Sequence, residues 1–536
     1  MPVDIKAALL MQAEAEGVRS NFDATNQEIA DYVLPRQNVF FGDKTQGDRR
    51  TSKIFESTAP IALERFAATV ENLLTPRTQL WHSIKSVSKD LNRIPAVARY
   101  FEDVRDILFE YRYATAANYA TQQHETYMSL GAFGTGTLYV GADKELRGLC
   151  YKSVHPSEMY FFENYVGRIT RAHRKFKIKA RNFKGQFKKI PDVVQKALTA
   201  GRTEEEYTVL HIVRPREDED THTKLAYSSI YLLMDGADKG SEIELSGYMS
   251  FPYAISRYVT APNEIYGRSP AWTVLSDIKT VNQMRKVTLR SAHKSADPAI
   301  LTTDDNWMDS SPGKVNQGML DMQGRPMAQP FNSGARVDFA IESENLVRGT
   351  IKDAFLSTIY EVLKDRPQMT ATEVLAFTQQ HGVLTSPTMG RQQSEALGVQ
   401  IPREIEILDG YGAFPPPPPE LVNAGFKIEY DSPLSRAQRA EYALGIQRTY
   451  EFAATYIAPS DPTVFDEFDH RTNLQIFGES QGMPMRGFRK KEDVDASKNA
   501  RAKSQQMQNT VASAPEIASA IKDISQAQKL QREAAG

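Results

Sequence analysis

The chain has 536 residues, enough for several domains and a sizeable buried core. Its 65 Lys and Arg nearly balance 67 Asp and Glu, for a net charge of −2, so any contact with nucleic acid has to be local rather than a bulk basic coat. A single cysteine, Cys150, excludes a disulfide framework and a cysteine-based zinc site, and no apolar run approaches the roughly 18 residues of a membrane-spanning helix. The N-terminus, MPVDIKAALLMQAEAEG, carries acids through its apolar stretch and lacks a signal-peptide pattern, so the expectation is a chain that is soluble when made.

Residues 1 to 35 read as helix ending at Pro35, and 36 to 53 as a polar loop. Between Ser57 and Leu74, Ile61, Phe66, Val70, Leu73 and Leu74 recur at helical spacing, and Pro76 stops the pattern. A further helix is predicted from about Pro95 to Leu130, after which Gly131 to Val140 (GAFGTGTLYV) switches to strand. Strands dominate to residue 175 and again from 207 to 260, giving a mixed α/β body.

Ser269 to Ala296 then reads as one long amphipathic helix. Ser269 is a natural N-cap, Pro270 suits the first turn and Pro298 ends the pattern. At about 100° per residue, Lys279, Lys286, Arg290 and Lys294 cluster within roughly 80° of one another. Val274, Ile278, Val281, Met284 and Thr288 lie on the far side, and Asp277 is the only acid. Such a helix, roughly 40 Å long, packs one face on protein and turns a row of cations toward a polyanion. The plainer alternatives are a solvated basic face or pairing with acids on a neighbouring subunit.

Residues 299 to 340 are rich in Gly and Pro and read as short extended pieces. Ile341 to Lys364 returns to helix, with Ile351, Phe355, Ile359 and Leu363 at fourfold spacing, and Asp365, Arg366 and Pro367 interrupt it. The capping box Thr370-Ala371-Thr372-Glu373 launches another helix, expected to kink near Gly382 and Pro387 and to resume from Ile401 to Leu408. Pro415 to Pro419 is a stiff spacer, Phe426 to Tyr430 a strand, and Ser432-Pro433 a new helix start. The last 40 residues, rich in Ala, Ser, Gln and Lys, read as a weak helix or a disordered tail. A helical hairpin whose tip carries a small module suits one slat in the wall of a ring better than a monomeric enzyme.

No catalytic constellation emerges, and no cofactor or metal is implied. There is no G-x-x-x-x-G-K-[ST] phosphate loop, no H-E-x-x-H and no G-x-S-x-G, and Cys150 has no activating neighbour. Gly134 and Gly136 lack the third glycine of a dinucleotide site, since Tyr139 stands there; a helix-to-strand turn with close backbone packing explains them better. Asp466, Glu467, Asp469 and His470 read as a solvated acidic face, and Glu217 to Asp220 as an exposed turn. Arg168 to Lys189 holds ten Lys or Arg and no acid, interleaved with Phe176, Phe183 and Phe187. That mixture fits either stacking on single-stranded nucleic acid or aromatics that anchor the segment to its own domain.

Several patterns together resemble the head-to-tail connector, or portal, proteins of short-tailed double-stranded DNA phages. They are Phe55-Glu56-Ser57-Thr58-Ala59 leading into the Ala62-to-Leu74 helix, Leu73-Leu74-Thr75-Pro76 before Trp81, and Gly131 through Val140. Tyr266-Gly267-Arg268-Ser269, Thr370 to Val374, and Ser432-Pro433-Leu434-Ser435-Arg436-Ala437-Gln438-Arg439 complete the set. Their order and spacing hold over roughly residues 20 to 470. The resemblance implies an α+β, predominantly helical subunit. Its parts would be a wing (1–265), stem helix 1 (266–298), a small β-containing clip (299–340), stem helix 2 (341–364) and a tunnel loop (365–369). After these would come a long kinked wing helix with the proline spacer (370–431), crown helices (432–495) and a barrel helix or disordered tail (496–536).

It further implies a non-enzymatic ring, typically dodecameric, assembled in the host cytoplasm and placed at one capsid vertex of the virion. The ring would carry the genome in packaging and ejection. Its partners would be itself, double-stranded DNA, the major capsid and scaffolding proteins, the terminase large subunit that drives packaging, and later the tail or adaptor proteins, with no membrane insertion. Lys279, Lys286, Arg290 and Lys294, with Lys364 and Arg366 beside the tunnel loop, are the candidates for touching DNA. A DNA-processing enzyme (a nuclease or packaging ATPase) and a minor capsid protein without a channel are the alternatives.

Overall fold

The computed structural model describes residues 5–37, 39–41, 47–143, 145, 147–218, 220–235, 240–302, 308–309, 311–331, 337–357, 388–421, 424–430, 433–480, 483, 487–489 and 493–504. The chain divides into two compact units. One comprises Met1–Ser83, Arg105–Pro415 and Ile428–Leu434; the other comprises Ile84–Val104, Pro416–Lys427 and Ser435–Gly536. The fold is α+β, as expected, with no described helix long and apolar enough to cross a membrane.

Helices α1 (Ile5–Tyr32) and α2 (Thr58–Leu74) open the chain. The buried stripe of α2 is Ala59, Ala62, Leu63, Phe66, Ala67, Val70 and Leu74, whereas Ile61 of the expected stripe faces outward. After strand β1 (His82–Ser86), the single helix expected from Pro95 to Leu130 is two, α3 (Pro95–Tyr113) and α4 (Tyr119–Phe133). The break is at Asn118, whose φ of 55° is a left-handed conformation that asparagine tolerates better than most residues. Helix α4 runs past Gly131 and stops at Gly134, φ 75°, so the strand expected from Gly131 starts only at Thr135.

Strands β2 (Thr135–Asp143), β3 (Gly148–Val154) and β9 (Tyr253–Arg257) form an antiparallel sheet in the order β3-β2-β9. A five-stranded antiparallel meander follows the chain in order: β4 (Met159–Glu163), β5 (Ile169–Lys179), β6 (Glu206–Pro215), β7 (Tyr227–Leu233) and β8 (Glu242–Tyr248). Between β5 and β6, α5 (Ala180–Gln186) and α6 (Asp192–Thr199) seat Phe183, Phe187, Val194 and Ala197 on Tyr207, Val209 and Leu233.

The long helix expected from Ser269 to Ala296 is broken near its start. Ser269 caps a single turn, α7 (Pro270–Thr273), by accepting the Trp272 N–H at 3.0 Å. Val274 then leaves helical geometry at φ −108°, ψ 19°, its side chain buried, and α8 runs from Leu275 to Ala296. Packing of Val274 into the core overrides the continuous periodicity. Strands β10 (Ile300–Thr302) and β11 (Ala328–Pro330) pair antiparallel and return the chain. Helix α9 (Val337–Ala354) begins ahead of the expected Ile341 and is interrupted before Leu356, whose φ is 56°; the expected end at Lys364 lies outside the described residues. Lys364, Arg366, the loop 365–369, the capping box at Thr370, Gly382 and Pro387 lie outside the described residues.

Helix returns by residue 388, widens into a π turn at Gln393–Leu397 and continues as Gly398–Gly410 with Pro402 inside it. The proline run carries neither helix nor strand from 415 to 418, and Phe426–Tyr430 is the expected strand. Helix Pro433–Phe452 starts at the expected Ser-Pro, and His470–Ser480 lies in the second unit. The terminal segment from 505 lies outside the described residues.

One core decides where the α8–α9 hairpin is held. Ile29 and Ala30 of α1, Leu63, Phe66 and Val70 of α2, and Met128 and Phe133 of α4 enclose Val274, Ile278 and Val281 on one arm and Ile351 and Phe355 on the other. A second fixing point is ionic. Arg112 is fully buried beneath Trp81, its guanidinium 4.6 Å from the ring centroid, and pairs with the equally buried Glu404. Tyr151 and Gln400 also donate to Glu404, at 2.7 and 2.8 Å. A buried pair so fully hydrogen-bonded tolerates loss of neither member.

Candidate nucleic-acid interface

The root of α8 is built from glycine. Gly134, at the α4-to-β2 turn, and Gly267, just before Ser269, lie back to back. A Cβ on Gly267 would stand 2.1 Å from the Gly134 carbonyl oxygen, and one on Gly134 would stand 2.3 Å from that of Gly267. The Thr135 hydroxyl accepts the Gly267 N–H at 3.0 Å, and Ser269 Oγ donates to the Ala132 carbonyl at 2.7 Å. The Gly-x-Gly of residues 134–136 is therefore a packing device, as its missing third glycine implied. Gly136 likewise leaves room for the Thr126 carbonyl.

Below the core, polar side chains replace apolar ones in holding α8. Asn282 accepts the backbone N–H groups of Phe55 and Glu56 at 2.7 and 3.1 Å and donates to the Lys53 carbonyl at 2.9 Å. Thr288 donates to the fully buried Glu344 of α9 at 2.7 Å. Arg348 bridges Glu344 (3.0 Å) and Glu56 (2.6 Å), and Arg285 stands 3.9 Å from Glu344. Burial pushes the Glu56 carboxyl up, but hydrogen bonds from Arg348 and Thr58 outweigh it and hold the group below the usual range. The Phe55-Glu56 motif is thus the clamp on both arms of the hairpin.

The four cations of the row meet different fates. Lys279 pairs with Glu28 of α1 at 2.7 Å, both half exposed. Lys286 lies 5.1 Å from the Phe55 ring centroid, a cation–π contact that leaves its charge uncancelled. Arg290 and Lys294 are exposed and make no hydrogen bond or ion pair with any described residue. On the opposite side Val274, Ile278, Val281 and Thr288 are buried and Met284 is half-buried, as the periodicity required. Sequence reasoning missed Arg285, Glu56, Glu344 and Arg348. Glu344 carried a signal, because it falls on the α9 face shared by Val347, Ile351 and Phe355, where a lone acid needs a partner.

The other candidates resolve into structure. In the basic segment from Arg168, Phe183 and Phe187 are buried under α6, so they offer no stacking platform. Arg171, Arg174 and Lys175 pair with Glu217, Glu158 and Glu16, and Lys179 and Arg181 share Glu204. Asp220 departs from the exposed turn expected of Glu217–Asp220: it is buried, pairs with Arg214 at 2.8 Å and accepts the Glu217 N–H at 3.0 Å. In the other unit, Asp469 caps the His470–Ser480 helix by accepting the Arg471 and Thr472 N–H groups, each at 3.1 Å.

Comparison with known proteins adds an independent line. Residues 6–488 match the model of a family described as bacteriophage head to tail connecting protein. The chain is 28% identical over 464 residues to the probable portal protein of Bordetella phage BPP-1, covering 83% of this chain and 81% of that protein. It is 23% identical over 544 aligned positions to the portal protein of Salmonella phage epsilon15, covering 98% and 96%. A chain from the neck of an empty gene transfer agent particle aligns with a TM-score of 0.36 at 13% identity, over 79% of this chain and 95% of that one, a likeness too loose to carry an argument.

Proposed function

Because the chain belongs to the bacteriophage head-to-tail connecting protein family, we propose that its copies form a portal ring, typically dodecameric, at one vertex of the capsid. Membership makes the chain a structural connector and sets aside the nuclease or packaging-ATPase alternative. The ring is the passage for double-stranded DNA during packaging and ejection. The terminase large subunit docks on its clip first and the tail or adaptor proteins later, while major capsid and scaffolding proteins meet the wing. In this reading residues 1–265 are the wing, α8 and α9 the stem, the β10–β11 module the clip, and residues 365–369, with Lys364 and Arg366, the loop that narrows the tunnel.

One observation supports the conduit most directly: α8 is sunk into the core on one face and presents Lys279, Lys286, Arg290 and Lys294 on the other, with Arg290 and Lys294 making no ion pair with any described residue. A moving duplex requires contacts that ignore sequence and are individually weak. Cations meeting phosphates supply that, since the term carries no base information and permits sliding. Repetition around the ring turns a few charges per chain into a continuous field.

The test combines Lys286→Glu with Lys294→Glu. Rings should assemble as in the parent, while heads fill poorly or lose their DNA, and the salt dependence of duplex binding to isolated rings should become shallower. Normal filling with the reversed charges would overturn the channel-lining role. Negative-stain images showing closed or amorphous particles would favour the minor capsid alternative.

A further inference from the structure

The solvent face of α9 is opposite in charge to the solvent face of α8. On α9, Glu342, Leu346 and Thr350 stand at i, i+4 and i+8 and are all exposed, with Leu346 at 73%. Glu342 makes no hydrogen bond or ion pair with any described residue. On α8, Gln283, Val287, Arg290 and Lys294 share the outer face, with Val287 at 50% exposure. Each face therefore carries one large uncovered aliphatic side chain beside unpaired charge, acidic on one helix and basic on the other.

The internal geometry fixes the register in which two such faces would meet. The Thr288–Glu344 hydrogen bond sets the two helices level at that point, and the antiparallel β10–β11 ribbon makes them run in opposite directions. At about 1.5 Å rise per residue, each step down α8 matches one step up α9. Arg290 is then level with Glu342, and Val287 with the turn that carries Leu346. Rotation about an axis running along the hairpin leaves every height unchanged. A copy reached by that rotation offers its α9 to α8 with the same residues level.

We propose that neighbouring copies in the ring meet through α8 of one and α9 of the next, with Arg290 paired to the next copy's Glu342 and Val287 covered by its Leu346. The contact joins two different surfaces, the kind that closes into a ring by repetition. It rests on the portal reading above and divides the basic row: Arg290 serves the neighbour, while Lys286 and Lys294 remain for the phosphate backbone.

The experiment uses the full-length chain as Arg290→Glu, Glu342→Arg and the double exchange, with ring formation followed by sedimentation velocity and negative-stain microscopy. Circular dichroism and thermal melting of each variant show whether the subunit is folded. Each single variant should raise the concentration for half-assembly by about tenfold or more, roughly 1.4 kcal/mol, and the double exchange should return it to within about threefold of the parent. Folded Arg290→Glu subunits that assemble like the parent would overturn the contact. So would single variants that are impaired without recovery in the exchange. In both cases the parent rings leave the portal reading intact; a parent that forms no rings removes that reading and this contact together.

Discussion

The two halves of the α8–α9 hairpin are the same helices doing different work. In the half near the root, Ile278, Val281, Ile351 and Phe355 are buried among α1, α2 and α4, and the helices belong to the body's core. In the far half Val287, Leu289, Ile341 and Leu346 are exposed, and beyond Thr288 and Glu344 the antiparallel β10–β11 ribbon joins the arms. A hairpin anchored at one end and bare at the other is incomplete as a monomer. Its root is specified by folding, and its outer half by whatever surrounds it.

Substitutions can break or sharpen that contrast. The largest effect is expected at the root: Gly267→Ala drives a methyl into backbone that cannot yield, costing about 4 kcal/mol or more, read as lost soluble expression or a collapsed melting temperature. Next comes the junction between the halves. Glu344→Ala leaves Arg348 and Thr288 short of their acceptor and should destabilise the isolated subunit by about 3 kcal/mol in denaturant unfolding. Val281→Ala, in the anchored half, should cost about 2 kcal/mol.

Acidification should act on the body through its buried histidines. Burial pushes the His155 imidazole down to about 4; its Nε2 meets the Gln37 carbonyl, and its Nδ1 accepts the Ser157 N–H. Burial likewise lowers His173, to about 3. Since the folded values lie below the unfolded one, the unfolded chain takes up protons first. Stability is then full above about pH 6.5 and falls as pH drops toward 4, by at most about 1.4 kcal/mol per unit for each histidine. His155→Gln should flatten that slope in unfolding measured across the range. The smallest effect is expected at Val287→Ala, within about 0.5 kcal/mol for the isolated subunit. If it costs as much as Val281→Ala there, the two halves do not differ as described.

The sequence revealed these helices better than their interruptions. Periodicity separated Val274, Ile278, Val281 and Thr288 from the basic row because a half-buried helix has to alternate its faces. The breaks at Val274 and Leu356 were not legible, since Val274 lies in the core and Leu356 packs against it, both answering to distant parts of the chain rather than to local propensity. Likewise, Lys279 could be placed in the row, but its partner Glu28 lies 251 residues away, and Arg112 meets Glu404 across 292. Ion pairs at such separations leave no mark on either side of the residue concerned. In the aromatic and basic segment from Arg168 the anchoring alternative holds: Phe183 and Phe187, in and just after α5, are buried against Tyr207 and Val209, contacts that lie too far along the chain for the segment itself to decide between the two readings.

The paired glycines at 134 and 267 act as a pivot bearing with no clearance. The 22-residue arm beyond them extends about 33 Å, so a tilt of about 5° at the bearing swings its tip by about 3 Å. Where many such arms must close a circle, an error of that size accumulates from one to the next, and the smallest side chain at the pivot would be felt at the far rim as a misfit in diameter.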